Sequence, residues 1–212
     1  MALRAVVFDY GMVLTGDPDP EVYAAMLRIS GLAKDEFEPR YWADRHAYDE
    51  GKLTGLAFWQ KLMRDAGMPP DQERAEELNH WDARFWTTQN PAMLAWQLAL
   101  KERGLLTAIL SNIGDSVWES VEREFEWIHS FDVLVWSFQL GIAKPDPAIY
   151  RHTIAELGVR PGEALFIDDK LANIEAAQAL GMKAVLFSGI DRLRADLIAQ
   201  GFDSQLPLPG GE

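Results

Sequence analysis

Five short runs of the chain are apolar along nearly their whole length: Ala5–Phe8, Leu106–Leu110, Val133–Trp136, Ala164–Ile167 and Ala184–Phe187. A strand with one face in water alternates polar and apolar residues, so strands without that alternation are buried on both faces. From Leu106 onward helical stretches separate the runs. That arrangement predicts βαβ units and an α/β fold, a Rossmann-like parallel sheet covered by helices. A chain of 212 residues suits one such domain, or one domain carrying a sizeable insertion, and can bury a full core. There is no internal repeat, and the tail "LPLPGGE" reads as a frayed end.

Composition narrows the function. The formal net charge of -13 argues against a nucleic-acid partner, which needs a basic surface. It leaves room for a small phosphorylated substrate, whose site needs only a local positive spot or a metal ion. The chain has no cysteine, which excludes disulfides, thiolate metal sites and cysteine nucleophiles. The N-terminus "MALRAVVFDY" has no long apolar signal segment, and no apolar run is long enough to span a membrane. A cytoplasmic protein without membrane partners is the expectation, with oligomeric state open.

Helix starts are legible at Asp19–Pro20, Asn90–Pro91 and Asp146–Pro147, where a capping side chain precedes a proline at the first helical position. Gly104, Gly158 and Gly181 stand where later helices should end. Between the first strand and Asn90 there is no strand pattern. Amphipathic helices are expected over Glu21–Ile29, around Glu36–Tyr48, over Thr54–Ala66 and over Gln72–Phe85. Such an insertion predicts a helical cap at residues 16–86 over one end of a core built from 1–15 and 87–212. Its rings Trp42, Phe58, Trp59, Trp81, Phe85 and Trp86 read mostly as the cap's own core. Tyr41, Arg45 and His46 are the better candidates to face a substrate.

Polar groups follow four strands in turn: Asp9 the first, Ser111 and Asn112 the second, Lys144 the third, Asp168 and Asp169 the fourth. Ligands of a parallel α/β sheet bind outside the carboxyl ends of the strands, so these groups should converge in one crevice. Singly, each could be a turn, a cap or a surface charge. Together they form a coherent set for displacement at a charged centre.

The stretches "FDYGMVL", "ILSN", "GIAKPDPAIY" and "FIDDKLANIEAA" resemble the four ordered motifs of the haloacid dehalogenase-like (HAD) hydrolase superfamily. The helical insertion after the first motif resembles its C1-type cap. The resemblance implies that Asp9 is a nucleophile forming a covalent intermediate. It implies that Ser111, aided by backbone N–H groups near Asn112, binds a phosphoryl oxygen, and that Lys144 counters the charge on Asp9 and substrate. It assigns Mg²⁺ to Asp169 and Asp9 with the backbone carbonyl of Gly11, supported by Asp168 and Asn173.

Within the superfamily, a phosphate ester brings about two negative charges to a carboxylate nucleophile and needs a cation. Metal-independent dehalogenases resemble D-x-Y-G-T in their first motif and have a serine- or asparagine-rich fourth. Here Tyr10 sits one position too early, and Asp168–Asp169 fill the fourth motif. The expectation is therefore a Mg²⁺-dependent phosphohydrolase acting on a small phosphorylated metabolite, such as a sugar phosphate. One departure stands out: most such phosphatases carry a general acid two residues after the nucleophile, where this chain has Gly11. A D-x-G variant group carries glycine there. General acid–base help is worth roughly 10²–10⁴-fold. A good leaving group, a cap residue (His46 by its chemistry), or a sensor or scaffold role with little turnover would each accommodate the loss.

Overall fold

The computed structural model describes residues 2–210. Five strands, β1 (Ala5–Phe8), β2 (Leu106–Ser111), β3 (Val133–Trp136), β4 (Ala164–Asp168) and β5 (Lys183–Leu186), form one sheet. All pairings are parallel and the spatial order is β3-β2-β1-β4-β5. The chain thus starts at the centre of the sheet and runs to one edge before returning to build the other. Phe8 is in register with Ile109 on one side and Ile167 on the other, which brings the ends of three central strands level.

The sheet is buried on both faces, as its unalternating strands require. Val6, Phe8, Ile109, Leu165 and Ile167 point to one side and pack with Met93, Trp96, Val117, Val121, Leu193 and Leu197. Ala5, Val7, Ala108, Leu110 and Phe166 point to the other and pack with Ile149, Tyr150, Ile154, Ile174 and Ala177. The tail is not frayed up to Gly210: Leu206 is buried, and Trp96 Nε1 donates to Pro207 O over 2.6 Å. Its last two residues lie outside the described part of the chain.

Between β1 and β2 lie only helices: α1 (Pro20–Ser30), α2 (Lys34–Ala43), α3 (Arg45–Asp49), α4 (Gly55–Asp65) and α5 (Gln72–Phe85). The later helices are α6 (Pro91–Glu102), α7 (Asp115–Glu124), α8 (Ser137–Leu140), α9 (Pro147–Leu157), α10 (Leu171–Ala179) and α11 (Ile190–Ala199). The proline-marked starts behave as expected: Asp19, Asn90 and Asp146 each accept a hydrogen bond from a backbone N–H one turn into their helix. The single helix expected around Glu36–Tyr48 is two. The chain interrupts at Asp44 (φ -110°, ψ 4°), whose carboxylate pairs with Lys61 of α4 at 2.6 Å, and α3 restarts in a new phase.

The insert has its own core of Val22, Met26, Phe37, Tyr41, Phe58, Trp59, Leu62 and Leu78. It is tied to the sheet domain at specific points. Gly55 N donates to Asp115 Oδ1 at 2.9 Å, and Asn79 Nδ2 donates to Ser116 Oγ at 2.9 Å. The two connections between the units run side by side, with Gly16 N donating to Thr88 O and Asn90 N to Leu14 O, both at 2.9 Å. The tightest approach is at Gly114, just before α7: a Cβ there would lie 2.1 Å from Tyr48 Cζ. Gly114→Ala should therefore force the insert off the domain. We expect a loss of about 1–3 kcal/mol from overpacking, read as a lower urea midpoint with unchanged m. An unchanged midpoint would show that Tyr48 is not seated there.

Candidate active site

β1 ends by delivering Asp9 into a tight turn. Tyr10 drops back into the core, where it stacks on Trp127 with ring centroids 6.3 Å apart and donates from its hydroxyl to Trp86 O at 2.8 Å. Met12 takes a left-handed conformation (φ 59°), an uncommon state for a residue with a side chain. It is held there by Thr15, whose Oγ1 accepts from Met12 N at 2.9 Å while Thr15 N donates to Tyr10 O at 3.0 Å. The turn leaves Asp9 at the carboxyl edge of the sheet, level with Ser111 and with Asp168, Asp169.

Lys144 reaches this edge from the loop after α8. Its ammonium donates to Leu110 O at 2.9 Å, lies 2.9 Å from Asp9 Oδ1 and 2.7 Å from Asp168 Oδ2, and is 1% exposed at the side chain. The loop is fixed by Asn112. Its amide donates to Lys144 O and accepts from Lys144 N, both at 2.8 Å. The Asn112 side chain is thus consumed by scaffolding, although the residue borders the cavity.

The carboxylates divide by their bonding. Asp168 is fully buried and saturated: Oδ1 accepts from Lys170 N and Asn173 Nδ2, Oδ2 from Lys144 Nζ and Asn173 Nδ2. It therefore fixes Lys144, while its carboxylate oxygens stay beside those of Asp9 and Asp169. Asp9 accepts on Oδ1 from Tyr10 N at 2.7 Å and from Lys144, which leaves Oδ2 open. Asp169 is half-buried and has no hydrogen-bond partner for its carboxylate among the described residues. Asp9, Asp168 and Asp169 bring carboxylate oxygens within 4.8 Å of one another.

Burial pushes the Asp9 carboxyl up to about 7 against the pull of Lys144, with Asp168 and Asp169 adding to the rise. Burial alone would lower Lys144, but Asp9 and Asp168 together hold it above its usual value. Asp168 goes the other way: despite burial, Lys144 and the hydrogen bonds keep it low. Burial and Asp168 raise Asp169. Three carboxylates against one ammonium carry excess negative charge, with Lys170 adding a second cation at the rim. An all-oxygen donor set with uncompensated charge fits a hard divalent cation such as Mg²⁺.

These groups line a cavity of about 290 Å³ between the sheet edge and the insert. Ser111, Asn112, Lys144, Asp169 and Asn173 border it from below. Trp42, Arg45, Asp49, Phe85 and Trp86 border it from the insert. Three expectations change here. Tyr41 is buried in the insert's core, where it donates to Asp82 Oδ1 at 2.6 Å. His46 turns away from the cavity: its side chain is 63% exposed and lies 3.3 Å from Glu50. Trp42 and Trp86 are not insert core but cavity wall, and Trp42 is 53% exposed. Arg45 is at the cavity as expected, but its guanidinium is committed. Nε donates to Asp49 Oδ1 at 3.0 Å and Nη1 to both oxygens of Asp82 at 3.1 Å. Asp49, Asp82 and Lys170 went unnoticed in the sequence; the i,i+4 spacing of Arg45 and Asp49 was the available signal.

The sequence matches the haloacid dehalogenase-like hydrolase family over residues 3–181. The chain belongs to that family. Among curated relatives, this hydrolase is 32% identical to bifunctional epoxide hydrolase 2 of Mus musculus over 99% of its own length. It spans only 41% of that relative. It is 29% identical to phosphatase MT3486 of Mycobacterium tuberculosis, covering 88% of each chain. Its fold matches a HAD family enzyme of Bacteroides thetaiotaomicron that was crystallised with magnesium and inorganic phosphate. The TM-score is 0.70 at 23% identity, over 88% of this chain and 95% of that one.

Gly11 of the hydrolase faces Trp86: a Cβ added there would lie 3.3 Å from Cζ3 of the indole. A side chain at position 11 would press on that ring, which would have to give by a few tenths of an ångström. Gly11→Asp should cost about 1–3 kcal/mol of stability, and less in a Trp86→Ala background. A double-mutant cycle should give a coupling of at least about 0.5 kcal/mol; strictly additive penalties would mean that the added side chain does not press on the indole.

Proposed function

We propose that this hydrolase is a Mg²⁺-dependent phosphohydrolase that acts through an aspartyl-phosphate on a small phosphorylated metabolite, such as a sugar phosphate. The observation that carries the reading is the cluster of Asp9, Asp168 and Asp169 around the buried Lys144 ammonium. A metal-independent dehalogenase has no use for the unpartnered Asp169. The similarity to phosphatase MT3486 supports the same choice, and the magnesium and phosphate bound in the Bacteroides enzyme support the cofactor.

In this reading Asp9 attacks phosphorus through the carboxylate that Lys144 orients, and Ser111 donates to a phosphoryl oxygen. Asp9 and Asp169, with the carbonyl of Gly11, would hold Mg²⁺, which when bound would supply positive charge against the two anions. Asp168 and Asn173 act one step back, fixing Lys144. Asn112 fixes the loop that carries it. Residues 16–86 act as a C1-type cap on a core of 1–15 and 87–212, and the chain falls in the D-x-G variant group. Trp42, Phe85 and Trp86 offer flat apolar faces for the body of the substrate.

The test is hydrolysis of a panel of sugar phosphates, acyl phosphates and nucleotides with Mg²⁺ and with EDTA. Turnover should need the metal and fall at least about 10³-fold in Asp9→Asn. Mg²⁺ at 100 times its Kd should raise unfolding stability by about 2.7 kcal/mol, and Asp169→Asn should abolish that rise. Tight binding of phosphate esters without turnover would replace the enzyme with a sensor or scaffold.

A further inference from the structure

We propose that Asp49, on the insert, is the general acid and base that position 11 does not supply. The assignment rests on the phosphohydrolase reading above and adds the group that moves the proton.

Elimination leads to it. The titratable side chains bordering the cavity are Asp9, Tyr10, Arg45, Asp49, Lys144, Asp169 and Lys170. Asp9 is the nucleophile and Asp169 faces the metal. Lys144 is locked between two carboxylates. Arg45 cannot release a proton at any working pH, and burial drives the Tyr10 hydroxyl far upward. Lys170 belongs to the loop of the metal-facing carboxylates. Asp49 is the remaining carboxylate, and it enters from the opposite side, where the leaving group must lie.

Its surroundings also favour a proton on it. Arg45, Asp49 and Asp82 form a buried cluster of two carboxylates and one guanidinium. Burying the extra negative charge is unfavourable, so the cluster takes up a proton readily. Asp82 accepts from Tyr41 Oη on Oδ1 and from Arg45 Nη1 on both oxygens, whereas Asp49 accepts only from Arg45 Nε on Oδ1. Of the two, Asp49 is therefore the carboxylate that takes up a proton more readily, and its Oδ2 has no partner among the described residues. Burial raises its carboxyl to about 6, opposed by Arg45 and Lys170 and reinforced by Asp82.

The residue is held in place by the catalytic domain itself. Ile113 N donates to Ser137 Oγ at 2.9 Å, and Ser137 Oγ donates to the backbone carbonyl of Asp49. A segment two residues from Ser111 thus fixes the height of Asp49 over the cavity. Gly51 completes the contact, since a Cβ there would lie 2.5 Å from Phe138 O.

The proton accounting closes. As Asp9 Oδ2 bonds to phosphorus, the P–O bond to the leaving group breaks and Asp49 gives its proton to the departing oxygen. In the second half, Asp49 as carboxylate takes a proton from water while that water attacks the aspartyl-phosphate. The P–O bond to Asp9 breaks, inorganic phosphate leaves, and Asp9 and protonated Asp49 are restored.

Rapid mixing with p-nitrophenyl phosphate and Mg²⁺ separates the two halves, because p-nitrophenolate leaves without a proton. Asp49→Asn should release about one equivalent of p-nitrophenolate in a burst and then turn over roughly 10²–10⁴-fold more slowly than the parent. With an alkyl phosphate, the burst itself should disappear. Formate should restore the turnover of Asp49→Ala at least tenfold, which a merely structural role would not produce. Asp49→Asn turnover within about threefold of the parent overturns the proposal. So does joint loss of burst and turnover, without formate rescue, in variants that unfold at the parental midpoint. A parent protein inert toward every ester removes the phosphohydrolase reading first and this assignment with it.

Discussion

The buried ammonium of Lys144 is the contact on which the site depends. It joins Asp9 at the end of β1 to Asp168 at the end of β4, and it also bonds the carbonyl of Leu110 in β2. Three neighbouring strands are therefore tied through one charge, which a parallel sheet alone would leave ending in open carbonyls. Burying such a charge costs several kcal/mol unless every donor is used, and here each partner is close. The surrounding hydrogen bonds exist to keep those partners still. Asn173 and Lys170 N orient Asp168, Asn112 clamps the Lys144 backbone, and Tyr10 N fixes one oxygen of Asp9. What remains open, the second oxygen of Asp9 and the carboxylate of Asp169, is what a substrate and a cation require.

The insert repeats this logic with a guanidinium in place of the ammonium. There a single guanidinium, flanked by Tyr48 and Trp86 with its carbon 5.1 and 5.4 Å from their ring centroids, is shared by two carboxylates. The sheet domain lends rigidity to the insert through Ser137, Asp115 and Ser116. Because the two units meet through backbone groups and short polar side chains, their separation is set by sterics at Gly114 and Gly51 and by these bonds together. A roof positioned so closely can contribute chemistry as well as shape.

Much of this was legible in the sequence where one local rule decides the outcome. Unalternating runs gave the strands to within a residue or so, since a doubly covered strand has no other pattern. Proline after a capping side chain gave three helix starts for the same reason. The site's floor followed from topology, because parallel strands deliver their carboxyl ends to one edge. What failed was orientation above that edge. Arg45 and His46 are adjacent, but one residue is a rotation of about 100° on a helix. The 45/49 stripe faces the cavity, while His46 faces water. Reading one helix through Asp44 hid that phase, since the break there depends on Lys61 from another helix. Likewise nothing local separates Asp168 from Asp169: the first is consumed by Asn173 and Lys144, contacts that exist only after folding.

Gly11 takes on a different meaning in that light. As a sequence feature it is a vacancy, a position where related phosphatases keep a carboxylate. In the folded molecule Trp86 lies against that position, and it also packs against Arg45 and accepts the Tyr10 hydroxyl on its carbonyl. The ring that a side chain at position 11 would press on is the ring beside Arg45, and Arg45 in turn holds Asp49 at the cavity. Position 11 and the placement of Asp49 are thus coupled through a single tryptophan.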